Sequence, residues 1–205
     1  MEKIKLNLGC GGRPLRNYTN IDLDNLKNLK LRYPNTKFDD NLIIKNYDIF
    51  NLPYDDNTVH EVRADSFIEH LSFIEEKKLF FELQRILIPK GIFSWSVPDF
   101  EDCVKKWLKA EDNWQDFFRD DDEAISQNHW FGTFTYNQTN RWGYLTAMIF
   151  GSQKGEGQFH KNAYTEGKIR AMMKKINFEI SELYRFNWKE DRDLMIQVMS
   201  KKNYE

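Results

Sequence analysis

Leu6-Asn7-Leu8-Gly9-Cys10-Gly11-Gly12 is the stretch on which the fold turns. From Ile4 to Leu8 apolar and polar side chains alternate, the period of a half-buried strand. The glycines then break the strand and admit backbone angles closed to other residues. Thr19-Asn20-Ile21-Asp22 reads as a second short strand. The step between them is brief and contains Pro14, so it leaves little room for a crossover helix. A dinucleotide fingerprint would need glycine where Pro14 stands, and an ordinary helix after the turn. The glycine turn therefore argues against NAD.

Outward from this point the order is strand and helix in alternation. Leu42 to Phe50 contains a third strand ending near Asp48, and Pro53 to Asn57 is turn chemistry. Val59 to Ala64 is a fourth strand. Ser72 and Glu75 form a capping box for a helix with Leu79, Phe80, Leu83, Ile86 and Leu87 at helical spacing. Pro89-Lys90-Gly91 should stop that helix, before a fifth strand from Ile92 to Val97. Asp99 caps a helix running to about Ala110. Thr165 opens another, with Ile169, Met172, Met173 and Ile176 on one face, and Asn177 suits a left-handed end. Phe178–Arg185 and Leu194–Met199 read as a closing strand pair. This pattern predicts an α/β, Rossmann-like, mostly parallel sheet of about seven strands with a C-terminal antiparallel pair and helices on both faces. Residues 1–205 form one domain, with an aromatic-rich insertion or cap at about 107–162.

Thirty basic and 32 acidic residues leave a net charge of −2, which excludes bulk electrostatic binding to nucleic acid. No run approaches the roughly 20 apolar residues of a membrane span. The first residues, Met1 to Gly9, hold no signal-peptide core, so a cytoplasmic location is expected. Cys10 and Cys103 make no disulfide framework and match no zinc spacing, so no metal is expected.

In mostly parallel sheets, ligands bind at the carboxyl ends of the strands. Asp22 there can accept two hydrogen bonds from a ribose diol. Asp48, next to Ile49, can accept from an adenine amino group. Ala64 and Asp65 end the fourth strand beside the same crevice. No phosphate-binding lysine or arginine motif accompanies them. The set suits an adenosine-containing ligand without a phosphate chain.

These residues resemble the class I S-adenosylmethionine-dependent methyltransferases, in the broad type-11-like group. Leu6 to Gly12 resembles their glycine motif, and Asn20-Ile21-Asp22-Leu23-Asp24 their ribose-binding strand end. Tyr47 to Leu71 resembles the passage that ends in Glu-His-Leu. Glu82 to Phe93 resembles the helix-to-strand passage, with Lys90 where glycine is usual. Together they cover about residues 4–98. The resemblance implies S-adenosyl-L-methionine as cofactor and S-adenosyl-L-homocysteine as product. It implies cofactor contacts from Asn7, Gly9, Cys10, Gly11, Asp22, Asp48, Ile49, Ala64 and Asp65. Asn7 departs from the acidic residue common at its position. The subgroup is often linked to glycan biosynthesis, which implies a small-molecule or glycan acceptor.

The expected reaction is methyl transfer to an oxygen of a sugar, glycan or related molecule. The alternative is a non-catalytic protein of the same fold acting as a binding partner or regulator. A hydroxyl acceptor needs a base. His160 and His129, in or beside the insertion, are the candidates. His60 starts a strand and reads as structural, and Glu69-His70 as scaffolding near the crevice. Asp65-Ser66-Phe67-Ile68 lacks the signature of amide-nitrogen and adenine methylation. Four of the six tryptophans, Trp107, Trp114, Trp130 and Trp142, fall in the aromatic segment. That segment is where acceptor choice is expected to reside.

Overall fold

The computed structural model describes residues 3–111, 141, 145–153, 157–187 and 194–204. His129 and the aromatics from Trp114 to Tyr136, with Trp142 and Tyr144, lie outside the described residues. Seven strands form one sheet: β1 (Lys5–Leu8), β2 (Thr19–Ile21), β3 (Ile44–Lys45), β4 (Val59–Asp65), β5 (Leu87–Pro98), β6 (Phe178–Asn187) and β7 (Leu194–Lys202). Their order is β3-β2-β1-β4-β5-β7-β6. The first five pair in parallel. β7 runs antiparallel between β5 and β6. Described helices are α1 (Leu26–Arg32), α2 (Phe73–Ile86), α3 (Phe100–Lys109), α4 (Thr146–Phe150) and α5 (Glu166–Lys175). The mostly parallel sheet with a C-terminal antiparallel pair is the architecture that the strand pattern predicts. No helix among the described residues is long and apolar enough to cross a membrane.

Alternation gives the sheet two chemically different faces. Leu6, Leu8, Val62, Ala64, Phe93, Trp95, Val97, Ile196 and Val198 enter the apolar core. There they meet Leu79, Phe80, Leu83 and Ile86 of α2, and Ile169 and Met173 of α5. Phe80 sets its ring edge-on to both Phe93 and Trp95, at 5.7 and 5.9 Å between centroids. The residues between them in β1 and β4 are Lys5, Asn7, Glu61, Arg63 and Asp65. The opposite face is thus charged.

The helix starts are as the sequence implies. Ser72 and Glu75 exchange both capping-box bonds, while Asp99 and Thr165 cap α3 and α5. Asn177 adopts φ 59° after α5. Three expectations need correction. β1 connects to β2 without any helix, as expected, but the third strand shrinks to two residues. It pairs only with β2, itself three residues long, so the ladder cannot extend further. Asp48 therefore lies beyond the strand, and its Oδ1 accepts from Phe50 N at 2.9 Å. Second, Pro89-Lys90-Gly91 does not terminate the helix. α2 ends at Ile86 and passes straight into β5. The Pro-Lys-Gly residues form a bulge: ladder partners jump from Val59↔Leu87 to Glu61↔Ile92. Lys90 takes φ 65° there, which explains why glycine would suit the position. Third, Ala64 is fully buried in the apolar core, on the face away from Asp65.

Behind the sheet, a buried polar clamp joins α2 to the segment before α5. Glu76 Oε1 accepts from Tyr164 Oη at 2.5 Å and from Asn162 Nδ2 at 2.8 Å, and Lys168 Nζ lies 2.9 Å away. Tyr164 packs its ring edge-on to Trp95 at 5.7 Å. Removing one partner of a buried hydrogen bond leaves the other unsatisfied, at about 1–3 kcal/mol. Tyr164→Phe is accordingly expected to lower unfolding free energy by about 1–2 kcal/mol in urea titration. A loss under about 0.3 kcal/mol would show that the clamp does not hold this segment.

Candidate active site

β1 leads outward to β2 and β3, and the chain then returns to β4 on the other side of β1. Such a reversal opens a crevice at the carboxyl ends of β1 and β4. A cavity of about 300 Å³ lies there. The β1 end contributes Asn7, Gly9 and Cys10, and the loop after it Arg13 and Leu15. β4 contributes Arg63 and Asp65, and β5 Ser96. Phe186 and Gln197 reach in from the antiparallel pair.

The glycine turn is held from three directions. Gly9 and Gly11 adopt φ 59° and 47°, the left-handed region. A Cβ on Gly9 would stand 2.1 Å from the Phe67 ring. One on Gly11 would stand 3.0 Å from Tyr33 Oη. Asp22 Oδ2 accepts from Gly11 N at 2.9 Å, and Oδ1 from Asp24 N at 3.0 Å. The carboxylate at the end of β2 thus fixes the turn, and each oxygen retains a further lone pair. Burial, reinforced by Asp22, pushes the Cys10 thiol up to about 12. It is a packed small residue and no nucleophile at neutral pH.

Asn7 is buried and spends its amide protons inside the protein. Nδ2 donates to Arg13 O at 3.1 Å and to Asn20 Oδ1 at 2.9 Å. Asn20 returns the loop through Leu15, with bonds of 2.8 and 2.9 Å in both directions. A carboxylate at position 7 could not make either donation, which is the physical reason for asparagine here.

Opposite the turn, Arg63 Nη2 donates to Asp65 Oδ2 at 2.7 Å, and Ser96 Oγ donates to Asp65 Oδ1 at 3.3 Å. Arg63 Nε is buried with no hydrogen-bond partner among the described residues. Ser66, directly after β4, takes φ 51° while its N–H donates to Ser96 O at 2.9 Å. This tight exit swings the chain into a single 3-10 turn, Ile68–His70. It places Phe67 on Gly9 and buries Glu69 beneath.

That turn meets residues 159–162. Glu69 O accepts from Lys161 N and Asn162 N at 2.8 and 3.2 Å. His70 Nδ1 lies 3.1 Å from Phe159 O, and His160 Nδ1 lies 2.9 Å from Met148 O. A carbonyl only accepts, so each Nδ1 carries the proton and each Nε2 the lone pair. The two rings stand edge to face at 4.9 Å. One ligand atom each from Glu69, His70 and His160 lies within 4.8 Å of the others. Glu69 is 2% exposed, and its Oε2 has no hydrogen-bond partner among the described residues. Burial pushes its carboxyl up to about 8. Burial and the neighbouring His70 push His160 down to about 4.

Of the residues singled out in the sequence, Asn7, Gly9, Cys10 and Asp65 meet in the cavity, with Gly11 and Asp22 bonded just behind it. Asp48 stays exposed in its own turn, and Ile49 packs against the core. Ala64 faces the core. His160 is absent from the cavity lining among the described residues and joins Glu69 and His70 instead. His60 is structural: its Nδ1 accepts from Ile4 N at 3.3 Å. Sequence reasoning missed Arg13, Arg63, Ser96, Phe186 and Gln197. Strand period gave a signal for Arg63, two residues before Asp65 and hence on its face.

No family model matches the sequence. No curated protein matches it either. Solved structures do. A SAM-dependent methyltransferase from Methanosarcina mazei is 14% identical with a TM-score of 0.60, over 100% of this chain and 95% of that one. The 1,6-didemethyltoxoflavin-N1-methyltransferase of Burkholderia thailandensis, holding S-adenosylhomocysteine, is 10% identical with a TM-score of 0.55, over 98% and 71%. The [4+2]-cyclase SpnF is 10% identical with a TM-score of 0.54, over 99% and 76%. The chain therefore has the Rossmann-like fold of class I methyltransferases.

The close seat of Phe67 on Gly9 has a measurable consequence. Gly9→Ala combines left-handed strain with overpacking, and is expected to cost more than about 2 kcal/mol in urea titration. In a Phe67→Ala background the same change should cost at least about 1 kcal/mol less. Strictly additive effects would refute the contact.

Proposed function

We propose that the chain transfers a methyl group from S-adenosylmethionine to an oxygen of a sugar, glycan or related small molecule, releasing S-adenosylhomocysteine. The observation that carries this reading is the cavity at the β1–β4 crevice, which presents acid, amide and guanidinium groups together. Its volume sits at the lower end of the ~300–1,000 Å³ range of ligand pockets. A zwitterionic amino-acid end matches it. Asp65 and the Asn7 carbonyl suit the ammonium, and Arg13 suits the carboxylate. Asp22 suits a ribose diol through its remaining lone pairs, while Gly9 and Gly11 let the backbone approach. Thus the residues present fit the cofactor.

When bound, S-adenosylmethionine supplies a sulfonium methyl that is already activated. The protein's share is to align the acceptor and exclude water. Gly9, Gly11 and Asp22 suit the nucleoside end of the cofactor, and Asp65, Asn7 and Arg13 its amino-acid end. Acceptor choice is assigned to the aromatic insertion at about 107–162. His160 suits general-base work poorly. Its Nδ1–H bond to Met148 O leaves the Nε2 lone pair free, but burial beside His70 lowers its pKa to about 4, which makes that nitrogen a weak base. His129 remains the other base candidate.

The second reading is a non-catalytic protein of this fold. Two departures motivate it: Asn7 stands where an acidic residue is common, and no crossover helix joins β1 to β2. Calorimetry separates the two. S-adenosylhomocysteine is expected to bind one-to-one, and Asp22→Ala to weaken it at least about tenfold, or 1.4 kcal/mol. Absence of binding of either cofactor form at millimolar concentration would overturn the enzyme reading.

A further inference from the structure

We propose that Glu69, His70 and His160 form a binding site for one divalent cation of the zinc class. The ligands would be the Glu69 carboxylate and the Nε2 atoms of both imidazoles. Two nitrogens and one carboxylate oxygen are the donor set that such cations take at sites with an open coordination position.

Three independent features point to a cation. The first is ring orientation. Both histidines donate Nδ1–H to backbone carbonyls, Phe159 O and Met148 O, and so present bare Nε2 atoms. Metal-binding histidines are held in this way, with the far nitrogen anchored so that the near one is oriented. The second is Glu69, almost wholly buried with Oε2 unpartnered among the described residues. Buried polar atoms are normally satisfied, and a cation would satisfy this one. The third is convergence from distant parts of the chain. Glu69 and His70 come from the turn after β4, and His160 from the segment before α5. The Glu69 carbonyl, accepting from Lys161 N and Asn162 N, pins the two together.

The three groups converge without yet having the spacing of a filled site. Ligand atoms about 2.1 Å from a tetrahedral cation stand roughly 3.3 Å apart. Here one ligand atom from each of Glu69, His70 and His160 lies within 4.8 Å of the others, so binding draws the three side chains closer together. Both imidazoles are half-buried rather than sealed, so a cation has a route in. The site also neighbours the cavity: Glu69 and His70 lie in the turn just after Asp65, where Phe67 packs on Gly9, and Asp65 and Gly9 line the cavity. The open position would hold water or an acceptor oxygen. That last role rests on the proposed methyl transfer, whereas the binding itself does not.

Zinc titration of the chelator-stripped full chain by calorimetry tests the site, with no cofactor added. One zinc per chain is expected. Glu69→Gln, His70→Ala and His160→Ala should each weaken binding at least about tenfold. His60→Ala, a histidine tied to Ile4 N elsewhere, should leave affinity unchanged. Cobalt provides a second readout: its visible absorption should appear with the wild type and fade in Glu69→Gln, a near-isosteric change that guards against misfolding. Less than half a zinc per chain, or variants that bind as tightly as wild type, would overturn the proposal. Zinc binding without S-adenosylhomocysteine binding would sustain the cation site and sink the methyltransferase reading. The reverse pattern would sink the cation site alone.

Discussion

The buried amide pair Asn7–Asn20, 2.9 Å from nitrogen to oxygen, takes the place of a structural element. Parallel strands ordinarily need a long crossover, usually a helix, to return the chain. Here β1 and β2 are joined by a short loop without one. The loop's polar backbone must still be satisfied, and Asn20 does so at Leu15 in both directions while Asn7 takes Arg13 O. Neutral amides can donate and accept at once, and carboxylates cannot. The same amides therefore set the position of Arg13 at the cavity mouth. A local economy in chain length is repaid by two buried polar side chains, and the wall of the site inherits its shape from them.

The polarity of the sheet follows from the same alternation. In β4, Val62 and Ala64 enter the core, while Glu61, Arg63 and Asp65 face the other way. Salt-bridging keeps that face viable: Glu61 meets Lys5 at 3.1 Å and Arg63 meets Asp65 at 2.7 Å. Partly exposed pairs of this kind contribute little net stability. The apolar face, with Trp95, Phe93 and Phe80 in mutual contact, carries the folding energy. Separating the two burdens lets the charged face serve a ligand.

Much of this was legible in advance because it depends on local chemistry. Helix caps at Ser72, Asp99 and Thr165 announce themselves by residue type and spacing, and the strands β1, β4 and β5 by period. The short β3 was not legible. Its length is set by what β2 can pair with, a fact of tertiary structure. The Pro89-Lys90-Gly91 bulge was misread for a related reason: a breaker marks a departure from regularity without saying whether a helix or a strand departs. Strand-end reasoning points to Asn7, Gly9 and Asp65, which line one cavity, since position at a strand end is a sequence property. Ala64, whose neighbour Asp65 faces the cavity, turns its side chain into the core. The meeting of His70 with His160 was invisible, as nothing local connects residues so far apart.

That meeting depends on the clamp around Glu76. Lys168 Nζ reaches Glu76 at 2.9 Å and Asn162 Oδ1 at 2.6 Å, so α5, α2 and the intervening segment share one buried carboxylate. Breaking a buried ion pair costs far more than forming it gains, so the arrangement is specific even where it is not strongly stabilising. Residues 159–164 are thereby held against the turn at Glu69, which brings the His160 ring to 4.9 Å from that of His70. The core itself thus supplies the anchor for residues 159–164, beside the turn that leads out of the cavity.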